Sequence, residues 1–330
     1  MSKPTYHEVN PLVRIRELSL LSKDTFERLI MANDLDQVSQ ILSNTVYQDY
    51  LGENFAYHFE QNLNHDIENT ISELIDLAPE KEVIWIYTMR YTFHNLKVLT
   101  KAQVLDQDYD YLCIYDGFYD IDTLKSAIKT GVSQLPEDLM ASILEVREYL
   151  EESKVIQGID VIYDRAFLRM QRKIGEQLGY PELLDEIIGF IDLTNIITAG
   201  RGIVQNRSQA FMTGVLSSCG SIDKEELLRF CKEDEATFVD YLLNSTYGEL
   251  LQEALRDNKL NFHLLEKIKD NFLTDHYVRA TSVAFGPLPL LAYLNAKEVE
   301  TKNLRTIIVG KRSGFTNQEI KERMRLTYDL

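Results

Sequence analysis

The sequence has 330 residues, 45% of them hydrophobic and 26% charged, with only seven prolines and fifteen glycines. That length suits two or three domains with real cores, and so few turn residues argue against a turn-rich β protein. A formal charge of -17 argues against binding a nucleic-acid backbone or lying on anionic lipid and leaves a basic protein surface as a compatible partner.

Taken in chain order, the apolar spacing follows a 3.6-residue period nearly throughout and predicts an all-α chain. Residues 11–31 read as helix, broken near Leu21 to Asp24, where Ser22 is a plausible cap and Asp24 lies in the first turn. Asp34 to Ile41, Asp49 to Leu77 (bounded by Pro79) and Glu82 to Val104 follow. Residues 106–122 are acidic, aromatic and the least helical stretch. Asp106, Asp108 and Asp110 begin like a calcium loop, but Tyr111 stands where that loop needs Gly and Gly117 where it needs Glu. A Tyr- and Asp-rich loop is more often solvated or a protein-contact surface, which makes Tyr109, Tyr111 and Tyr115 candidate partner contacts. Helices are predicted over Asp122 to Lys129, Glu137 to Lys154, Tyr163 to Leu178 and Leu183 to Arg201. Further helices cover Asp223 to Lys232, Glu235 to Leu243, Tyr247 to Asp257, Leu264 to Ala284 (one helix or two), Leu290 to Lys311 and Asn317 to Leu326.

One pattern recurs. On the helix after Pro287 and Pro289, a stripe of Ala292, Ala296, Val299, Ile307 and Gly310 holds one polar member, Asn303. Asn95 and Asn195 sit in the same setting. Four residues before each Asn are Tyr91, Ile191 and Val299; one after are Leu96, Ile196 and Leu304; seven after are Ala102, Gly202 and Gly310, all small enough to admit a neighbouring backbone. The spacings are 100 and 108 residues. A buried amide needs partners, so each Asn is expected to fix a packing arrangement or bond a nearby backbone. A weaker fourth version stands at Asn10. A second echo pairs Leu42-Ser-Asn-Thr-Val-Tyr47 with Leu242-Leu-Asn-Ser-Thr-Tyr247, each about 25 residues after a helix start, Ser22 to Glu27 and Ser221 to Glu226. Together these predict three related helical units: residues 1–82 completed by 290–330, residues 83–184, and residues 185–289. The middle unit echoes poorly after residue 120.

Nothing in the sequence composes a catalytic site. Gly200-Arg-Gly202 lies within a helical stripe and Val309-Gly-Lys311 follows a helix, so neither is a phosphate loop. His58 and His65 share a helix face without a third ligand. Arg165, Arg169, Arg172 and Lys173 form a dense basic face, a candidate contact for an acidic partner or a solvated face with intrachain pairs. Cys113, Cys219 and Cys231 lack ligand spacing, and the opening Met1-Ser-Lys-Pro-Thr5 has no apolar signal core, so the expectation is a reducing, cytoplasmic setting. The uncharged run 280–296 is broken by Gly286, Pro287 and Pro289 and predicts no membrane span.

The C-terminal helix, with Lys297, Glu298, Glu300, Asn303, Arg305 and Gly310 at these relative places, resembles the signature of the C-subunit of the V-type and archaeal-type rotary ATPases, called the d-subunit in vacuolar enzymes. Asn10 to Leu21, with Arg14, Arg16 and Leu20-Leu21, resembles the start of the same family. The resemblance implies three similar all-α domains around a pseudo-threefold axis, arranged as a funnel. It implies a non-catalytic, cofactor-free socket, held by protein partners on the cytoplasmic side of the membrane, that couples the central stalk to the membrane rotor ring so that ATP hydrolysis drives proton or sodium transport. It implies no nucleic-acid partner, no direct lipid insertion and no homo-oligomer. On it, Asn95, Asn195 and Asn303 would sit at equivalent interdomain seams with Gly310, and Arg201, Arg305 and Lys311 would pair with neighbouring acids. The residues alone leave two alternatives: a generic helical repeat scaffold for soluble partners, and a helical hydrolase with convergent His and Asp.

Overall fold

The computed structural model describes residues 4–52, 55–153 and 155–327, with backbone only at Ala56, Ala280 and Thr281. Among the described residues all regular structure is helical. The order is α1 (Val9–Glu17), α2 (Lys23–Met31), α3 (Leu35–Leu42), α4 (Phe55–Leu77), α5 (Lys81–Leu105), α6 (Ile121–Thr130), α7 (Glu137–Glu152), α8 (Gln157–Leu178), α9 (Pro181–Val204), α10 (Gln209–Val215), α11 (Lys224–Phe230), α12 (Glu235–Leu243), α13 (Gly248–Leu251), α14 (Phe262–Val278), α15 (Leu288–Arg312) and α16 (Asn317–Arg323).

Local chemistry sets the boundaries. Ser22, Asp34, Asp120, Ser208 and Asp234 each accept the backbone N–H three residues on, satisfying a donor that the first turn leaves free. Thr316 and Glu319 close a reciprocal capping box at α16. Gly131 and Gly179 end α6 and α8 at φ of 75° and 66°, a left-handed turn that glycine adopts without a side-chain penalty.

The chain forms two compact units, residues 1–84 with 270–330, and residues 85–269. In the first, Phe26 and Leu29 of α2 and Val38 and Leu42 of α3 pack with Phe59 and Leu63 of α4, Leu304 and Ile307 of α15, and Ile320 of α16. In the second, Met89, Phe93 and Leu96 of α5 pack with Leu124 of α6, Leu139 and Ile143 of α7, and Ile159 and Tyr163 of α8.

Several differences from the sequence reading have physical reasons. Where the spacing predicts a single 49–77 helix, the described part holds a short 3-10 turn over Gln48–Tyr50 and then α4. The helix expected from Tyr163 begins at Gln157, because Ile159 and Ile162 already bury in the second unit's core. The helix expected over residues 247–257 stops after α13; residues 255–257 leave helical geometry, and Asp257 turns left-handed at φ 59°. Residues 288–301 of α15 are buried on every side rather than on one stripe, so Lys297, Glu298 and Glu300 lie inside. α9 is long and apolar enough to cross a membrane, but 67% of its apolar stretch is buried within the protein, as in a core helix.

Candidate functional site

The three asparagines make the same contact. Asn95 Nδ2 donates to the Ile114 carbonyl (2.6 Å) while its Oδ1 accepts the Ile114 N–H (2.8 Å). Asn195 does this to Ser217 (2.8 and 2.9 Å) and Asn303 to Arg325 (3.0 and 2.7 Å). Each amide thus satisfies both polar groups of one residue in an extended segment, as a neighbouring strand would, 19 residues on for Asn95 and 22 for the other two. Asn is suited to this because its side chain carries a donor and an acceptor in the geometry of a peptide group. All three side chains are buried, so water cannot substitute. Both ends of each clamp lie within one compact unit. Asn10 differs: its Nδ2 donates to the carbonyls of Ala284 and Gly286, at 3.0 and 3.2 Å, and holds a loop rather than one residue.

A buried carboxylate accompanies each clamp. Asp192, one turn before Asn195, accepts the N–H groups of Ser221 and Ile222, the Ser221 hydroxyl and the Tyr247 hydroxyl (2.8 Å). A Cβ at Gly220 would lie 2.1 Å from Asp192 Oδ1, so only glycine lets that loop close over the acid. Glu300, one turn before Asn303, accepts the Leu21 N–H and the Tyr47 hydroxyl (2.6 Å). In the middle version the residue one turn before Asn95 is Thr92, and the acid is Asp116, which accepts the Thr92 hydroxyl and the N–H groups of Phe118 and Tyr119. Burial pushes the Asp116 pKa up, against the opposing pull of those hydrogen bonds. Tyr47 and Tyr247 are the matched tyrosines of the second sequence echo, and burial followed by the adjoining carboxylates raises the pKa of both.

Glu300 has a further partner. Lys297, almost wholly buried, places Nζ 2.9 Å from Asp66, 3.1 Å from Glu300 and 3.0 Å from the Tyr47 hydroxyl. Burial works against its charge, but Glu300 and Asp66 outweigh that and raise its pKa. Sequence reasoning missed Asp192, Asp116 and this Lys297 network. The acid one turn before two of the three asparagines was the signal that could have found the first.

The remaining candidates are dispersed. Arg201 pairs with Glu266 (2.9 Å) and Arg305 with Glu60 (2.7 Å). Lys311 departs from expectation: among the described residues it meets no acid, and it donates to the carbonyls of Ile30 and Ala32, acceptors at the end of α2, and to Asn317 Oδ1. At Gly310 a Cβ would lie 2.7 Å from Ile320, so the missing side chain admits α16. In the basic face, Arg165 pairs with Glu145, Arg172 with Glu176 and Lys173 with Asp138, while Arg169 is exposed. Tyr109 is half-buried. Tyr111 is 78% exposed and lies with the exposed Leu112 and Tyr115.

The comparisons with known proteins cover the whole fold. The family model described as "ATP synthase (C/AC39) subunit" matches residues 9–323. The V-type sodium ATPase C-subunit of Enterococcus hirae is 56% identical over 326 residues, spanning 98% of this chain and 99% of that one. The chain belongs to the C/AC39 subunit family. The A-type ATP synthase C-subunit of Methanocaldococcus jannaschii is 25% identical over 344 residues, with 96% and 85% covered, and that of Thermococcus kodakarensis 24% over 340, with 96% and 89%.

As a C/AC39 subunit the protein is a non-catalytic coupling part of a rotary ATPase, linking the central stalk to the membrane rotor. It interacts with both and is peripheral to the membrane complex. The arrangement of side chains agrees with a part built to hold its shape. The 460 Å³ cleft beside α8, α9 and α10 has an apolar floor including Phe167 and Phe190, and its rim acids Asp160, Asp164 and Glu266 are ion-paired to Lys101, Lys97 and Arg201. Buried amides and carboxylates that hold backbone groups stiffen the joints between helices, and stiffness is what a torque-bearing part requires.

Proposed function

We propose that this C/AC39 subunit serves a sodium-translocating V-type ATPase, seated as a single copy on the cytoplasmic face of the rotor ring with the foot of the central stalk docked into it. The observation that carries this reading is the end-to-end similarity to the V-type sodium ATPase C-subunit of Enterococcus hirae, 56% identical across 98% of this chain. We further read the chain as three related domains, residues 1–82 with 290–330, 83–184 and 185–289. The three amide clamps with their accompanying carboxylates support that division. The exposed Tyr111, Leu112 and Tyr115 form the candidate partner contact, since aromatic residues are enriched in protein interfaces. The paired Arg165 and Arg172 contribute less, because intrachain acids already hold them.

The test is capture of detergent-solubilised rotor ring by the purified protein, with and without central-stalk subunits, at low and moderate salt. Binding of one copy per ring that also retains the stalk is expected. Folded protein that retains neither would return the chain to the generic scaffold. Reconstituted complex should then drive ATP-dependent sodium uptake that persists with a protonophore; uptake abolished by the protonophore would assign protons instead.

A further inference from the structure

In the second unit, clamp and carboxylate act on one continuous stretch of backbone. Asn95 holds Ile114, and Asp116 holds Phe118 four residues later; Asn195 holds Ser217, and Asp192 holds Ser221 four residues later. That stretch leads directly into the helices capping the clamp, α6 and α7 in one case and α11 and α12 in the other. In the first unit the same two contacts fall on backbone from opposite regions of the sequence. Asn303 holds Arg325, whereas Glu300 holds Leu21, which leads into α2 and α3. Thr327 and Leu20 nonetheless line one small cavity with Ala296 and Glu300, so the two stretches meet in space where the other versions run on unbroken.

Non-covalent contacts replace the missing link. Ile320 of α16 is fully buried in the core that holds Leu29 and Val38. Lys311 bridges the last carbonyls of α2 to Asn317 at the start of α16. Arg325 pairs with Asp270 at 2.7 Å, and the Leu326 N–H donates to Asn271 at 2.9 Å.

We propose that residues 316–327 act as a latch that seats helices α2 and α3 on α15, so that this cap can open and close without disturbing its two counterparts. The other caps have no such element to release, because their clamped segment is continuous with their helices. Segments open locally where their hold on the rest can be released, and the α16 segment is joined to α2 and α3 by non-covalent contacts alone. The latch thus gives one of three similar caps an independent open state.

The test is hydrogen–deuterium exchange of the full chain, of a chain shortened after Phe315, and of Asn303→Ala, followed in peptides covering residues 23–42, 121–130 and 224–243. Shortening should speed exchange in 23–42 by about tenfold or more while the other two peptides keep their protection. Asn303→Ala, which weakens the latch without removing it, should show the same pattern in smaller measure. Unchanged exchange in 23–42, or equal acceleration of all three peptides in Asn303→Ala, would overturn the latch.

Discussion

Replacing Asn195 with alanine tests whether the clamps carry the fold. The substitution removes the 2.8 Å bond to the Ser217 carbonyl and the 2.9 Å bond from its N–H. Ser217 is 2% exposed, so neither group gains a water in exchange. Leaving a buried polar group unpaired costs about 1–3 kcal/mol, so the pair together should cost about 2–6 kcal/mol. The same change at Asn95 should cost about 1–2 kcal/mol, because Ile114 is only half-buried and solvent can reach part of it. Asn195→Asp should be worse than alanine at neutral pH. A carboxylate there faces the Ser217 carbonyl with no donor and stands one turn from Asp192. Lowering the pH should recover part of that loss. Urea unfolding with exchange-monitored local stability is the appropriate assay, since a chain of two compact units need not unfold in one step. A cost under about 0.5 kcal/mol for Asn195→Ala, the range of neutral surface substitutions, would show that the amide merely accompanies the packing and does not hold it.

Four further outcomes follow from the same geometry. Lys297→Met should destabilise the first unit by about 3–5 kcal/mol, because Glu300 and Asp66 then face each other without a cation; adding Glu300→Gln should recover part of the loss in the same urea titration. Asp116, whose folded pKa burial has raised, binds its proton more tightly folded than unfolded, so its contribution to stability falls as pH climbs from the ordinary carboxylate value through the raised one. Asp116→Asn, which still accepts the Phe118 and Tyr119 N–H groups, should flatten that fall when midpoints are compared between about pH 4 and 7. Gly310→Val should cost about 1–3 kcal/mol and loosen α16, read by proteolysis near residue 315, since the branched Ile320 side chain must move, whereas Gly202→Ala should cost less because its nearest neighbours are the end atoms of the flexible Met212. Tyr111→Ser with Leu112→Ser should weaken ring or stalk capture while leaving the unfolding midpoint within about 0.5 kcal/mol of the parent, as exposed positions do.

Much of this was legible in the sequence where spacing and chemistry coincide. The asparagines announced themselves because an amide in an apolar stripe has few explanations, and Ser22 marks a helix start through a donor that must be satisfied. The all-α expectation holds for the same reason: its period repeats on almost every element. The Lys297 network was not legible. Lys297 lies three residues from Glu300, and that spacing alone is indistinguishable from a solvated helix pair; only the convergence of Asp66 and Tyr47, more than 200 residues away in sequence, makes it a buried cluster. α10 was missed because Gln209 to Val215 carries Gly214 within it and no acid in its first turn, whereas the equally short α11 and α16 start with Glu225 and Glu319.

The fading of the repeat after residue 120 has a specific cause in the middle version. Where the other two carry an acid one turn before the asparagine, this one carries Thr92, and a hydroxyl cannot accept two backbone N–H groups and a side-chain donor together. Asp116 supplies the carboxylate from the opposite partner, two residues beyond the clamped Ile114, and Thr92 donates to it while accepting from Trp85 Nε1 at 3.3 Å. The acid then lies within the segment it organises, and among the described residues its hydrogen bonds come from Thr92, Phe118 and Tyr119, with no counterpart to Tyr47 or Tyr247. The tyrosine echo shared by residues 47 and 247 therefore has no reason to persist in the middle unit. A sequence comparison sees this as decay of the repeat, but the physical requirement, a buried carboxylate gathering the backbone that enters the cap, is met in all three.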